Sequence, residues 1–175
     1  VRGALYSMLL TQRQKEILIG TILGDGHLEK NGSNTRLRVD HAFPQSDYLT
    51  WKYREFEGFA TNLPRAIRSF HKKEGKFYER LHFSTYSKEV FNEWRDKFYQ
   101  DGVKIIPSDI DNILISPLSL AIWFMDDGYK RNDCNAMRIS TDLFSWPEQL
   151  LLQKCLEKNF GIISSIHKKG NTYNL

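Results

Sequence analysis

The chain has little of what a metal scaffold, a secreted fold or a membrane protein requires. It carries two cysteines in 175 residues, Cys134 and Cys155, with no paired spacing. That excludes a zinc ribbon and a disulfide framework. Its five histidines show no metal-ligand spacing. No apolar run reaches the roughly 20 residues that span a bilayer. The first ten residues, VRGALYSMLL, lack the charged, apolar and small-residue order of a secretory signal. The expectation is an intracellular protein with no membrane partner. What is present is a globular composition, 41% hydrophobic and 13% aromatic, with a net charge of +4. That surplus favours an anionic partner, although solubility alone accounts for a charge of this size.

Two runs organise the rest. Leu18 to Gly26 reads LIGTILGDG, and Leu120 to Gly128 reads LAIWFMDDG. Each is an apolar helical run that ends in Asp-Gly. Gly20 and Gly24 lie four apart, on one helix face. Glycine costs about 1 kcal/mol there relative to alanine, and a close backbone approach would offset it. Ala121 in the second run is also small. Gly26 and Gly128 are expected as left-handed C-caps. One such run reads as an ordinary buried helix. The pair implies two helices side by side, delivering Asp25 and Asp127 to one point.

The intervening chain repeats. Thr11 and Gln14 form a capping-box pattern ahead of the first run. Asn31-Gly32 signals a hairpin, and Arg36 to Phe43 alternates, with Leu37 and Val39 opposite Arg36, Arg38 and Asp40. Ser46 is expected to cap a helix with Leu49, Tyr53 and Phe56 on one face. A second hairpin follows, Arg65 to His71 and Phe77 to Thr85, with Phe77, Leu81 and Phe83 on one face. Ser87 is expected to cap a helix with Val90, Phe91, Trp94 and Phe98 inward. Residues 101–116 read as a linker, and Ser116-Pro117 starts the second motif helix. Setting Gly26 on Gly128 places Arg36 on Arg138, Leu37 on Ile139, Arg38 on Ser140 and Asp40 on Asp142. Ser145 and Glu148 make another capping box before Leu151, Leu152, Cys155, Leu156 and Phe160. Ser165-Ile166-His167-Lys168-Lys169 echoes Ser69-Phe70-His71-Lys72-Lys73. The second copy ends inside its last hairpin, so the natural chain is expected to continue into a further strand and helix. The reading is a mixed α+β protein of duplicated αββαββα units with subdomains at 11–100 and 117–175.

The two runs resemble the LAGLIDADG homing endonucleases, in the single-chain form with two motif copies. Ser116 to Gly128, with Lys104-Ile105-Ile106-Pro107 ahead of it, looks like the I-SceI-like subgroup. The sequence departs from the motif at Leu23, Ile122 and Asp126, and the last two are expected to loosen the helix pairing. The resemblance implies a pseudo-two-fold fold with the motif helices at the interface, and a monomer acting as a pseudo-dimer. It leaves an archaeal cytoplasm and an organelle both open as the compartment.

Two convergent carboxylates repel unless cations neutralise them, and hard cations with oxygen ligands suit that need. Mg²⁺ is expected, with Mn²⁺ as a substitute. The resemblance implies that Asp25 and Asp127 are catalytic and bind metal, that the carbonyls of Gly24 and Asp126 assist, and that Lys104 polarises water or stabilises developing charge. Each half would cut one strand of duplex DNA. A basic antiparallel ribbon fits the major groove. The residues expected to meet DNA are Lys30, Arg36, Arg38, Asp40, Lys72, Lys73, Lys76, Arg80, His82, Lys130, Arg131, Arg138, Ser140, Asp142, Lys168 and Lys169. The alternative is an intron-RNA-binding maturase or a non-cleaving DNA-binding regulator on the same scaffold. Such relatives often lose an acid, so retention of Asp25 and Asp127 favours the enzyme.

Overall fold

A computed structural model describes residues 9–170 and 172–175. In chain order the elements are α1 (Gln12–Leu23), β1 (His27–Asn31), β2 (Asn34–Ala42), α2 (Ser46–Glu55), β3 (Arg65–His71), β4 (Lys76–Ser84), α3 (Asn92–Phe98), β5 (Tyr99–Gln100), β6 (Val103–Lys104), α4 (Ile110–Ile113), α5 (Pro117–Asp127), β7 (Gly128–Lys130), β8 (Met137–Ile139), α6 (Trp146–Phe160), β9 (His167–Lys169) and β10 (Thr172–Asn174). The contacts divide the described residues into two compact units, residues 9–15 with 26–95 and residues 16–25 with those from 96 onward. The fold is mixed α+β with antiparallel sheets.

The first unit is a four-stranded sheet in the order β1-β2-β4-β3. The expected alternation holds in β2. Thr35, Leu37, Val39 and His41 are buried, and Arg36, Arg38 and Asp40 face away from the core. The first hairpin turns through Gly32, whose φ of +66° a side chain rarely adopts. Leu49 and Tyr53 on α2 and Phe56 at its C-cap are buried, as are Phe91 just ahead of α3 and Trp94 within it. The outer half of the β3–β4 hairpin departs from the expected burial. Phe77 pairs with Phe70 across the strands, ring centroids 4.9 Å apart, but both are about half exposed.

Two helix starts also differ from expectation. Ser46 is the first residue of α2, whose N-cap position is Gln45 with no side-chain cap. Ser87 caps nothing: its hydroxyl accepts from Asn31, and a short 3₁₀ turn from Glu89 leads into α3. In each place the preceding turn already leads the backbone into the helix. Lys52 is the residue of α2 whose burial its polarity hides. It is fully buried, its Nζ 3.2 Å from His41 Nε2 and 4.5 Å from the centre of the Tyr48 ring.

The second unit is built on the α1–α5 pair. Ser116 accepts from Leu118 N–H at 3.2 Å and Pro117 opens α5, as the sequence implies. The Ser145–Glu148 capping box starts α6 in the same way. Residues 101–116 are not a plain linker. β5 and β6 close a tight hairpin through Asp101 (φ +50°) and Gly102 (φ +81°), which sets Lys104 opposite Tyr99. The short helix α4 then docks on α6, where Asn159 Nδ2 donates to the carbonyls of Asp111 and Leu114 at 2.7 and 2.8 Å. The second-half strands are shorter than their counterparts. β7–β8 and β9–β10 form separate two-stranded sheets, with Ile139 N–H donating to Leu175 O at 2.7 Å. Among the described residues, no helix is long and apolar enough to cross a membrane.

Candidate active site

The glycines of the first run do their work by being small. A Cβ on Gly20 would lie 2.4 Å from the Ser119 carbonyl oxygen and 2.8 Å from Ile122 Cβ. A Cβ on Gly24 would lie 2.4 Å from Asp126 Cβ. Ile122 and Asp126 therefore do not loosen the pairing, contrary to expectation, because each fills the space that a glycine on the facing helix leaves. Ser119 Oγ adds a hydrogen bond to Glu16 O at 2.7 Å. The cap expectation is corrected as well. Gly128 has φ −85° and begins β7, and neither motif glycine is among those with positive φ. A side chain at Gly128 would meet Phe124 O at 2.4 Å, so crowding, not handedness, excludes one there.

The pairing brings the ends of α1 and α5 to a cavity of about 190 Å³. Leu23, Gly24, Asp25, Lys104, Asp127 and the segment Ser140 to Phe144 line it. Asp25 is exposed and Asp127 half-buried. Burial, with the charges of Asp25 and Asp126 beside it, pushes the Asp127 carboxyl up to about 7, while Lys104 and the Trp123 indole pull it back. Burial lowers the Lys104 pKa, against the upward pull of Asp127, Asp25 and Asp126. Lys104 Nζ donates to Gly24 O at 2.9 Å, and Asp126 Oδ2 accepts the Asp25 N–H at 3.1 Å. The Gly24 carbonyl, expected as a metal ligand, thus already has an ammonium partner and keeps one lone pair. A larger cavity of about 660 Å³ lies beside Leu120, Phe124, Ile139 and Leu156. It is lined by no carboxylate side chain, so the acid chemistry belongs to the smaller one.

The expected DNA-facing residues separate into groups. Arg36, Arg38, Asp40, Arg80 and His82 share one face of the first unit's sheet, whereas Lys30, the cross-strand partner of buried Thr35, lies exposed on the other face. They are interlaced with acids. Arg36 is 2.6 Å from Glu29, its cross-strand partner, Arg38 lies 3.7 Å from Glu29, and Arg80 lies 3.5 Å from Asp40. The Arg36 hydrogen bond lowers the Glu29 pKa. Burial lowers the His82 pKa, more than neighbouring Asp40 raises it. Lys72, Lys73 and Lys76 are exposed at the tip of the β3–β4 hairpin. Lys130 and Lys168 are exposed in the second unit, and Arg131 is paired with Asp133. The Lys169 side chain lies outside what the structure describes.

Arg138, Ser140 and Asp142 do not form a second copy of the outer strand face. β8 stops at Ile139, so Ser140 and Asp142 fall on the cavity wall. Ser140 N–H donates to Asp127 O at 2.9 Å, and Asp142 accepts from Thr172. Arg138 lines the larger cavity. Sequence reasoning also missed what holds the cavity wall. Buried Thr141 and Gln149 bond each other at 2.8 Å, and Leu175 N–H donates to Thr141 Oγ1 at 3.2 Å. These contacts join residues 8 and 34 apart, and no local spacing signals them.

A family model described as the LAGLIDADG DNA endonuclease family matches residues 15–175. The chain is 33% identical over 177 residues to cytochrome b mRNA maturase bI2 of Debaryomyces hansenii, covering 97% of this chain and 66% of that protein. It is 34% identical over 169 residues to the maturase of the same name from Saccharomyces cerevisiae, covering 90% of this chain and 39% of that one. It is 32% identical to DNA endonuclease I-ChuI of Chlamydomonas applanata, covering 93% and 79%. The structure resembles that of the homing endonuclease I-WcaI bound to its DNA recognition sequence, with a TM-score of 0.88 and 26% identity over 96% of this chain and 76% of that one. The chain therefore spans two-thirds or less of the length of the two maturases.

Proposed function

We propose, from the premise that this chain belongs to the LAGLIDADG DNA endonuclease family, that it is a site-specific, divalent-metal-dependent endonuclease that cuts both strands of a long, partly asymmetric DNA target. The observation that carries the reading is the convergence of Asp25, Asp127 and Lys104 on one small cavity where two tightly packed helices end. Residues 11–100 and 117–175 act as the two subdomains of a monomeric pseudo-dimer.

The donor set fits a hard cation. Its charged donors are carboxylate oxygens, and burial together with the charges of Asp25 and Asp126 pushes the Asp127 carboxyl up to about 7, so a cation there would offset both. Asp25 and Asp127 would hold Mg²⁺ or Mn²⁺, with the carbonyls of Gly24 and Asp126 assisting. When bound, such an ion supplies charge neutralisation and Lewis-acid activation. Lys104 keeps its ammonium beside the reacting phosphate and stabilises the negative charge that builds there. Glu29 and Asp40 hold Arg36, Arg38 and Arg80 on one sheet face. These arginines exchange carboxylate partners for base edges and phosphates when duplex docks.

The test is selection of cut molecules from a randomised duplex library in Mg²⁺, with Ca²⁺ in parallel to retain binding without cutting. Mg²⁺-dependent cutting at one long site is expected. Asp25→Asn or Asp127→Asn should abolish double-strand cutting and leave binding in Ca²⁺ near normal; wild-type cutting by either variant would sink the reading. The second reading is an RNA-binding maturase, and identities of 33% and 34% to two mRNA maturases favour it. Specific RNA binding with no DNA cut would select it.

A further inference from the structure

The Gly24–Asp25 peptide group is gripped at both ends. Its carbonyl accepts from Lys104 Nζ at 2.9 Å, and its N–H donates to Asp126 Oδ2 at 3.1 Å. The partners lie 80 and 101 residues further along the chain. A peptide unit is planar, so holding both its oxygen and its hydrogen fixes the plane. The plane in turn limits ψ of Gly24 and φ of Asp25, and these set the direction in which the Asp25 side chain leaves the backbone. The grip depends on a glycine, because a Cβ on Gly24 would lie 2.5 Å from Asp126 Oδ2.

The grip is also one-sided. With the two motifs aligned, Asp126 stands where the first motif has Gly24, and a glycine has no side chain to offer Asp127 N–H. The Asp127 backbone is held differently, through Ser140 N–H on its carbonyl at 2.9 Å.

We propose that Asp126 is a positioning residue for Asp25: its carboxylate acts through the Asp25 N–H and sets the aim of one of the two carboxylates. The proposal deepens the endonuclease reading and rests on it for its kinetic consequence. The two strands then depend unequally on Asp126. Asp126→Ala slows the cut that belongs to the Asp25 side and leaves the other. Asp126→Asn keeps an oxygen for the amide and preserves the balance between the two cuts.

Two measurements test this. The first is cleavage of a supercoiled plasmid carrying the duplex recovered from the library, with each nick mapped to its strand. For Asp126→Ala, one strand's rate should fall about 10- to 100-fold, as expected for a displaced reactive group, so that singly nicked circles accumulate. Asp126→Asn should keep the wild type's ratio of the two strand rates, whatever its overall rate. The second is hydrogen exchange at the Asp25 amide in metal-free protein. It should be slow in the wild type and in Asp126→Asn, and at least about 10-fold faster in Asp126→Ala.

Equal slowing of both strands overturns the proposal, as does an Asp126→Asn that matches the alanine variant and recovers when Mg²⁺ is raised, which would make Asp126 a direct ligand. Should Asp126→Ala unfold at the assay temperature, Asp126→Ser, too short to reach the amide, replaces it. If the wild type cuts nothing, the endonuclease reading fails. The exchange experiment still decides the positioning role, faster exchange in the alanine variant alone supporting it and equal protection in all three overturning it.

Discussion

Gly20→Ala should separate the two motif helices, although intrinsic helix propensity says the opposite. Alanine is favoured over glycine in a helix by about 1 kcal/mol. Against that, the added methyl would sit 2.4 Å from the Ser119 carbonyl oxygen and 2.8 Å from Ile122 Cβ. Neither atom can rotate away, because one is backbone and the other is the first carbon of its side chain. Reaching ordinary contact at 3.4 Å from 2.4 Å requires the helices to part by 1.0 Å. A gap of that size forfeits a quarter to a half of each dispersion contact along the seam, and overpacking of this kind costs about 1–3 kcal/mol, sometimes more. With the blocking atoms fixed, the gross cost is roughly 3–4 kcal/mol and the net roughly 2–3 after the propensity gain. For a chain of this size that is a fall in Tm of about 4–12 °C. The same displacement should slow cleavage on the order of 100-fold. Calorimetry on Gly20→Ala, with Gly58→Ala as control, checks it. Gly58, in a 3₁₀ turn at Glu57–Phe59, has nothing within 4 Å of its built Cβ, so its substitution should not lower Tm. A Gly20→Ala protein as stable as the wild type, or more so, would refute the reasoning.

The raised Asp127 carboxyl makes a pH prediction. Its folded value of about 7 lies above the unfolded 3.8, so the folded state binds the extra proton, and stability falls as pH rises from about 4 to 7 and then levels. Discounted for a half-exposed group, the loss is on the order of 1–2 kcal/mol, and Asp127→Asn should remove it when urea unfolding of the two proteins is compared across that window. Thr141→Val strips partners from Gln149 and the Leu175 amide in a buried setting, at about 1–3 kcal/mol by urea unfolding. Arg38→Ala should cost about 1–3 kcal/mol at one target position in a binding-site library, and unchanged selectivity would make Arg38 a solvated residue. Glu29→Gln frees Arg36 and Arg38 from their carboxylate and should tighten duplex binding in Ca²⁺, with the salt slope steeper by about one phosphate contact.

What the sequence determined by itself is whatever a few neighbouring residues can encode. The capping boxes at Thr11–Gln14 and Ser145–Glu148, the alternation of β2, the first hairpin's turn and the two Asp-Gly runs were all legible, because each rests on spacings of two to four residues. The duplication added the pairing of Asp25 with Asp127. Tertiary structure decided the rest, because those contacts join distant parts of the chain. Gly26 and Gly128 looked like left-handed caps, yet neither has positive φ, and the close approach legible at Gly20 and Gly24 gained its partners only in the fold, residue 119 opposite Gly20 and residue 126 opposite Gly24. Lys52 carries a surface residue's polarity, yet it is buried beside Tyr48 and His41. Ser140 and Asp142 aligned with outer-strand residues but reached the cavity wall because β8 ends at Ile139. Asp126 looked like a departure from the motif. Only the packing of α5 on α1 shows that its carboxylate reaches a backbone amide 101 residues earlier, a distance over which no local pattern carries information.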